Sequence, residues 1–154
     1  MKVRTIVSSL ALCFVTATVC LAQDAQIGTW KLNEAKSKIP AGAPKNHTVI
    51  YERVGEDTKV TVDGTAADGS ATHNEWTGKF DGKDYPVTGD PTSDARSYRQ
   101  INARTVTFTI KKDGKVTTTG RVVVSADGKS RTVTTTGTDP QGQKFKVVAV
   151  YDKQ

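Results

Sequence analysis

Between Gly28 and Tyr151 the chain alternates apolar with small polar residues in short runs, and glycine-containing turns separate them. A period of two places successive side chains on opposite faces of a strand, so the pattern predicts a meandering antiparallel β protein with little room for helix. Val106, Phe108 and Ile110 share one face of such a run, and Thr105, Thr107 and Thr109 share the other. Likewise Val116, Thr118, Gly120, Val122 and Val124 oppose Thr117, Thr119, Arg121 and Val123. One face is therefore core and the other a threonine-rich wall, since threonine favours pleated backbone but is too polar to build a core alone. Asp81-Gly82, Asp113-Gly114 and Asp127-Gly128, with Asp68-Gly69 and Gln141-Gly142, supply residues that tolerate the positive φ of tight turns. Read between them, about ten strands are expected at 27–33, 47–54, 58–64, 72–80, 83–88, 95–102, 105–112, 116–125, 131–137 and 144–151.

A different pattern precedes this rhythm. Lys2 and Arg4 lead a largely apolar stretch from Ile6 to Val19, followed by Cys20-Leu21-Ala22 and polar Gln23-Asp24. Residues 1–22 are thus expected to be a cleaved signal peptide, and 23–154 a single domain. The apolar run is short for a bilayer span, so no integral membrane segment is expected in the mature chain. Both cysteines, Cys13 and Cys20, fall in the leader, which leaves the exported domain without disulfide, thiol or cysteine-metal chemistry. Losing Lys2 and Arg4 also leaves 20 basic against 16 acidic residues, a net charge of +4. That mild surplus comes without an aromatic-plus-basic recognition motif, so no nucleic-acid partner is expected.

Ten strands in hairpin order can close as a barrel or fold as two packed sheets, and periodicity alone leaves both open. Gly28-Thr29-Trp30-Lys31-Leu32 resembles the Gly-x-Trp opening of the lipocalins and fatty-acid-binding proteins, together the calycins. Val150-Tyr151-Asp152-Lys153 is similar to the final strand of fatty-acid-binding proteins, although Ala149 stands where those proteins usually carry an arginine for a ligand carboxylate. The mature chain as a whole resembles small exported bacterial proteins described as lipocalin-like. The resemblance implies an antiparallel meander closed into an 8- to 10-stranded barrel, with Gly28 and Trp30 as structural residues and Trp30 plugging the closed end. The long first connection, 33–45, can open with a helical turn capped by Asn33 before Pro40 and Pro44 prevent its extension; the resemblance implies that it forms a lid, and a plain surface loop is the alternative. A periplasmic or extracellular location follows from the same resemblance.

Catalytic constellations are missing from the pattern. His47 and His73 fall on different expected strands without a Glu-x-x-His partner, no Gly-x-Ser-x-Gly occurs, and Asp90 and Asp94 lack the dense oxygen spacing of a calcium loop. No catalytic residue, metal or cofactor is expected, and no enzyme.

The informative feature is a conflict inside two strands. Over 95–102 one register turns Arg96, Tyr98 and Gln100 inward and the other turns Ser97, Arg99 and Ile101 inward, so an arginine is enclosed in either case. Over 47–54, Val49 and Tyr51 bring Arg53 inward, whereas Ile50 and Val54 bring Glu52. An enclosed arginine needs a carboxylate, a wet cavity or an anionic ligand, unless it lies at a strand end and reaches water. Tyr51, Arg53, Arg96 and Tyr98, with Trp76 and Phe80, are therefore the expected ligand-binding wall. In the last strand, Val148 and Val150 face outward with Val123; segment 34–39 or a second subunit covers them, or they remain as ordinary scattered exposure, giving a monomer or weak homodimer. The expected function is binding of a small amphipathic or anionic, lipid-like molecule inside an exported barrel. The alternative is a non-enzymatic structural or interaction module with a filled core at the cell envelope.

Overall fold

In a computed structural model of the protein, residues 25–139 and 141–154 are described. The expected leader at 1–22, with Cys13 and Cys20, lies outside the described residues. Ten strands follow in order: β1 (Gly28–Leu32), β2 (Lys45–Val54), β3 (Asp57–Thr65), β4 (Ala71–Gly78), β5 (Tyr85–Thr88), β6 (Ala95–Asn102), β7 (Thr105–Lys112), β8 (Lys115–Val124), β9 (Ser130–Thr138) and β10 (Lys144–Lys153). Each pairs antiparallel with its neighbour, and β1 pairs with β10 through Trp30↔Lys153, Lys31↔Asp152 and Leu32↔Tyr151. The sheet is a closed ten-stranded barrel, an architecture that fits a calycin-like fold and rules out two separate sheets.

Strand direction alternates, so the two ends of the barrel differ. One end, the mouth, carries the connections at 33–44, 66–70, 89–94, 113–114 and 139–143; the other connections lie at the closed end. Asp113 and Gly114 both have positive φ (49° and 73°), the backbone that a two-residue hairpin requires between right-twisted strands. At the closed end Trp30 is wholly buried, and its indole N–H donates to the Gln26 carbonyl at 2.8 Å.

Inward positions alternate as the sequence pattern requires, with one correction. Val116 does not join Thr118, Gly120, Val122 and Val124 on the inner face but is 56% exposed. A register shift opposite Ile110 and Lys111 pairs Ile110 with Thr118 and Lys111 with Val116, so Thr117 is the extra residue and everything before it changes face. Two inward glycines further along make room for rings. A Cβ on Gly120 would fall inside the Phe108 ring, and one on Gly137 would crowd Phe145 at 2.6 Å.

The long first connection closes the seam of the barrel. Asn33 caps a 3-10 turn (Glu34–Lys36), its side chain accepting from the Lys36 N–H at 3.1 Å. Beyond it the chain runs beside β10: Asn33 N–H donates to Val150, Lys38 exchanges two backbone bonds with Val148, and the Ser37 hydroxyl accepts from Val150 N–H. This segment continues the short β1–β10 pairing toward the mouth, and Ile39 packs against the core. Val148 and Val150 are consequently half-buried, as the first of the two expected covers requires.

Candidate binding site in the barrel interior

An aromatic cluster fills the middle of the barrel. Inward Trp76 (β4) and Tyr98 (β6) meet with ring centroids 4.7 Å apart, Phe80 stacks on Tyr98 at 5.1 Å, and Tyr51 (β2) approaches Phe80 and Tyr98 edge-on at 6.4 and 6.3 Å. Tyr85 and Phe108 complete it against Trp76 and Tyr98. Edge-on and offset contacts of this kind add to the burial of the rings. Five of the six residues expected from the sequence, Tyr51, Trp76, Phe80, Arg96 and Tyr98, are buried and project into this interior.

Arg53 is the exception. It keeps the inward parity of Val49 and Tyr51, but it pairs with Thr58 next to the β2–β3 turn and is exposed at the closed end. Parity alone placed it in the wall; the end of the barrel falls one residue pair too early for that. Gly28 and Trp30 lie on β1, where Gly28 has a φ of 126° and a Cβ would meet the Lys153 chain at 2.7 Å. The small residue there lets Lys153 lie across β1 with its ammonium 5.2 Å from the Trp30 ring centroid.

Arg96 is one of two enclosed guanidinium groups among the described residues. Its side chain is enclosed, with the residue 6% exposed, yet it forms no ion pair among the described residues. One guanidinium nitrogen donates to Asn74 Oδ1 at 3.2 Å, while the buried Nε meets no acceptor. Trp76 fixes the backbone beneath it, its indole N–H donating to the Arg96 carbonyl at 2.8 Å. Both bonds run from β4 to β6 across β5, which pairs through only two residues on each side and includes Pro86, a residue without an N–H. The side chains thus tie together the thinnest part of the wall.

Asp90, on the adjoining mouth loop, feels the charge of Arg96. Burial, the largest influence on its carboxyl, pushes the pKa up, but the Ser93 and Thr92 hydroxyls, the Thr92 N–H and Arg96 together hold it below the ordinary carboxylate range. Its oxygens accept from those donors at 2.6 to 2.8 Å, and its effect on Arg96 is through space.

A second enclosed cation, Arg131 on β9, was not legible as a site residue. It is 2% exposed, and its guanidinium carbon lies 4.7, 4.8 and 5.1 Å from the ring centroids of Trp30, Tyr51 and Tyr151. Three π faces stabilise the charge in place of a carboxylate, while its buried Nε and Nη1, like the Nε of Arg96, meet no acceptor. Val133, two residues along the same alternating face, was the signal for an inward Arg131, though a strand otherwise made of threonine and glycine carries it faintly. Asn74 left no signal, as an asparagine amid an ordinary alternation.

Burial pushes the Tyr51 phenol well above the ordinary tyrosine range, with Tyr98 adding to the effect and Arg131 opposing it. Burial raises Tyr151 too, against the pull of Arg131. A phenol whose folded pKa exceeds its unfolded value of about 10 costs nothing below that pH and destabilises the fold as pH rises above it. Urea midpoints are therefore expected to hold level up to about pH 9.5 and fall by pH 11, more steeply in the parent than in Tyr51→Phe/Tyr151→Phe. Identical alkaline slopes would contradict enclosed phenols.

Toward the mouth the interior opens. Inward Phe108, Ile110, Val133, Phe145 and Val147 are only half-buried, in contrast with Val60, Val106 and Val124 nearer the closed end. Two further concavities, of about 420 and 280 Å³, lie instead on the outer wall over β7, β8 and β9.

No family model and no curated protein matches the chain. It is similar to the solved structure of EF1p2_mFAP2b bound to DFHBI, with a TM-score of 0.49 and 10% identity over 86% of this chain and 97% of that one. It is also similar to a redesigned β-barrel, mFAP1, bound to DFHBI, with a TM-score of 0.45 and 14% identity over 86% of this chain and 98% of that one.

Proposed function

We propose that the chain is an exported, non-catalytic binding protein that takes a small anionic amphiphile into the mouth of its barrel. The leader at 1–22 is removed on export to the periplasm or the medium, and the working unit is a monomer or weak homodimer. The observation that carries this reading is Arg96: an enclosed guanidinium held by Asn74, on a backbone that Trp76 fixes through the Arg96 carbonyl, whose buried Nε lacks an acceptor and whose charge lacks an ion-pair partner among the described residues. Such a group is costly in a folded protein unless an anion completes it. A carboxylate or phosphate headgroup supplies the missing acceptor as a charge-assisted pair. The half-buried apolar residues around the mouth, beginning with Ile110 opposite Arg96 in register, offer a surface for the tail. A catalytic reading has less support, since His47 bonds Thr65 and His73 bonds Asp63 at separate positions on the wall.

The filled closed half favours a second reading, a solid-cored module that acts at the cell envelope through its outer wall. Isothermal titration with decanoate and with decanol, which share a tail and differ in charge, separates the two. Decanoate is expected to bind one-to-one and at least about tenfold more tightly than decanol. Failure of both to bind supports the solid module, and equal binding removes the headgroup argument.

A further inference from the structure

The outer wall carries a face that the interior site does not use. On β9 the outward positions are Thr132, Thr134, Thr136 and Thr138, a run about 20 Å long at the usual rise of a strand. Register places Thr119 beside Thr136 and Arg121 beside Thr134 on the β8 side, with Lys146 beside Thr136 and Lys144 beside Thr138 on the β10 side. The floor is hydroxyl-bearing and the flanks are cationic. Arg121, Lys144 and Lys146 are exposed and form no ion pair among the described residues. From Thr119 to Val123, Thr132 to Thr138 and Lys144 to Val148, no outward position is acidic. Asp139, just past the end of β9, is the nearest carboxylate in sequence, and its Oδ1 accepts from the Gln141 and Gln143 N–H groups. The two outer concavities coincide with this face, one lined by Arg121 with Thr107, Thr134 and Thr136, the other by Lys144 with Thr117 and Thr138.

We propose that this face binds a linear acidic polysaccharide lying along β9. Sulfate or carboxylate groups meet Arg121 on one side and Lys144 and Lys146 on the other, while sugar hydroxyls and ring oxygens exchange hydrogen bonds with the threonines. The face favours this partner over others of the same charge. It presents no aromatic ring on which bases could stack, as single-stranded nucleic acid requires. Its exposed apolar side chains, Val123 beside Thr132 and Val116 beside the second concavity, are two valines at separate places, with none of the large aromatic or leucine side chains that anchor a protein in a bilayer surface.

The test measures binding of the whole protein to dextran sulfate in low salt. The parent is compared with Arg121→Glu/Lys146→Glu and with Lys83→Glu/Arg104→Glu, which makes the same charge change at the closed end. Retained circular dichroism in both pairs shows that the barrel persists. The first pair is expected to weaken binding by about tenfold or more, and the second by about threefold or less, because exposed charges beyond roughly 10 Å are screened. No binding by the parent, or equal losses in the two pairs, would overturn the proposal. So would equal affinity for a single-stranded oligonucleotide or for phosphatidylglycerol vesicles. Arg96→Met leaves this binding unchanged, which separates it from the interior site.

Discussion

Trp76→Ala is expected to lower the unfolding free energy by about 3–5 kcal/mol, the largest loss anticipated for a single residue of the wall. The indole is 1% exposed and meets Tyr98, Tyr85 and Phe80 at centroid distances of 4.7, 5.7 and 6.1 Å. Truncation opens a cavity in the middle of the barrel, forfeits these ring contacts and strips the Arg96 carbonyl of its donor. Backbone bonds of Gly82 N–H to Tyr98 and of Gln100 N–H to Phe80 hold the chain beyond β4 against β6, so the surroundings cannot readily collapse onto the gap. Trp76→Phe keeps a ring while still losing the N–H and is expected to cost about 1–3 kcal/mol. Urea unfolding followed by far-ultraviolet circular dichroism gives both values. A loss below about 1 kcal/mol for alanine would mean that the ring is not enclosed.

Arg96→Met is expected to reduce decanoate affinity by about 10- to 100-fold, the equivalent of a charge-assisted hydrogen bond of about 1.5–3 kcal/mol. Decanol binding is expected to stay within about threefold, because methionine retains the apolar stem of arginine. Stability is expected to hold or rise: the substitution removes an incompletely bonded buried charge and leaves the Trp76 bond to the backbone carbonyl in place. The combination is diagnostic. A residue of purely structural importance would lose stability along with binding, whereas a headgroup ligand loses charge-dependent affinity alone.

The strand plan was legible because turn chemistry and alternation agree. Asp113-Gly114 marks a hairpin whose backbone needs positive φ, and Val106, Phe108 and Ile110 have no other common face. Arg96 was legible for a stronger reason: either register of its strand encloses an arginine. The same parity misplaced Arg53, since alternation states which way a side chain faces and not where the barrel ends. Val116 was misassigned because a bulge at Thr117 adds a residue that no local pattern announces. The role of the 33–45 connection depended on backbone bonds to Val148 and Val150, more than a hundred residues away, which no sequence period encodes. Arg131 shows the converse limit of alternation: its strand holds a single valine, too small a signal to reveal three aromatic rings contributed by β1, β2 and β10.

The most direct test of an anion-completed Arg96 is a proton–nitrogen nuclear magnetic resonance titration of the arginine Nε–H groups with decanoate. The Arg96 resonance, assigned by its loss in Arg96→Met, is expected to shift downfield and saturate at one equivalent, as Nε gains an acceptor, while Arg131 within its three rings moves little. An Arg96 resonance that stays in place while decanoate binds, or a shift confined to Arg131, would contradict the account.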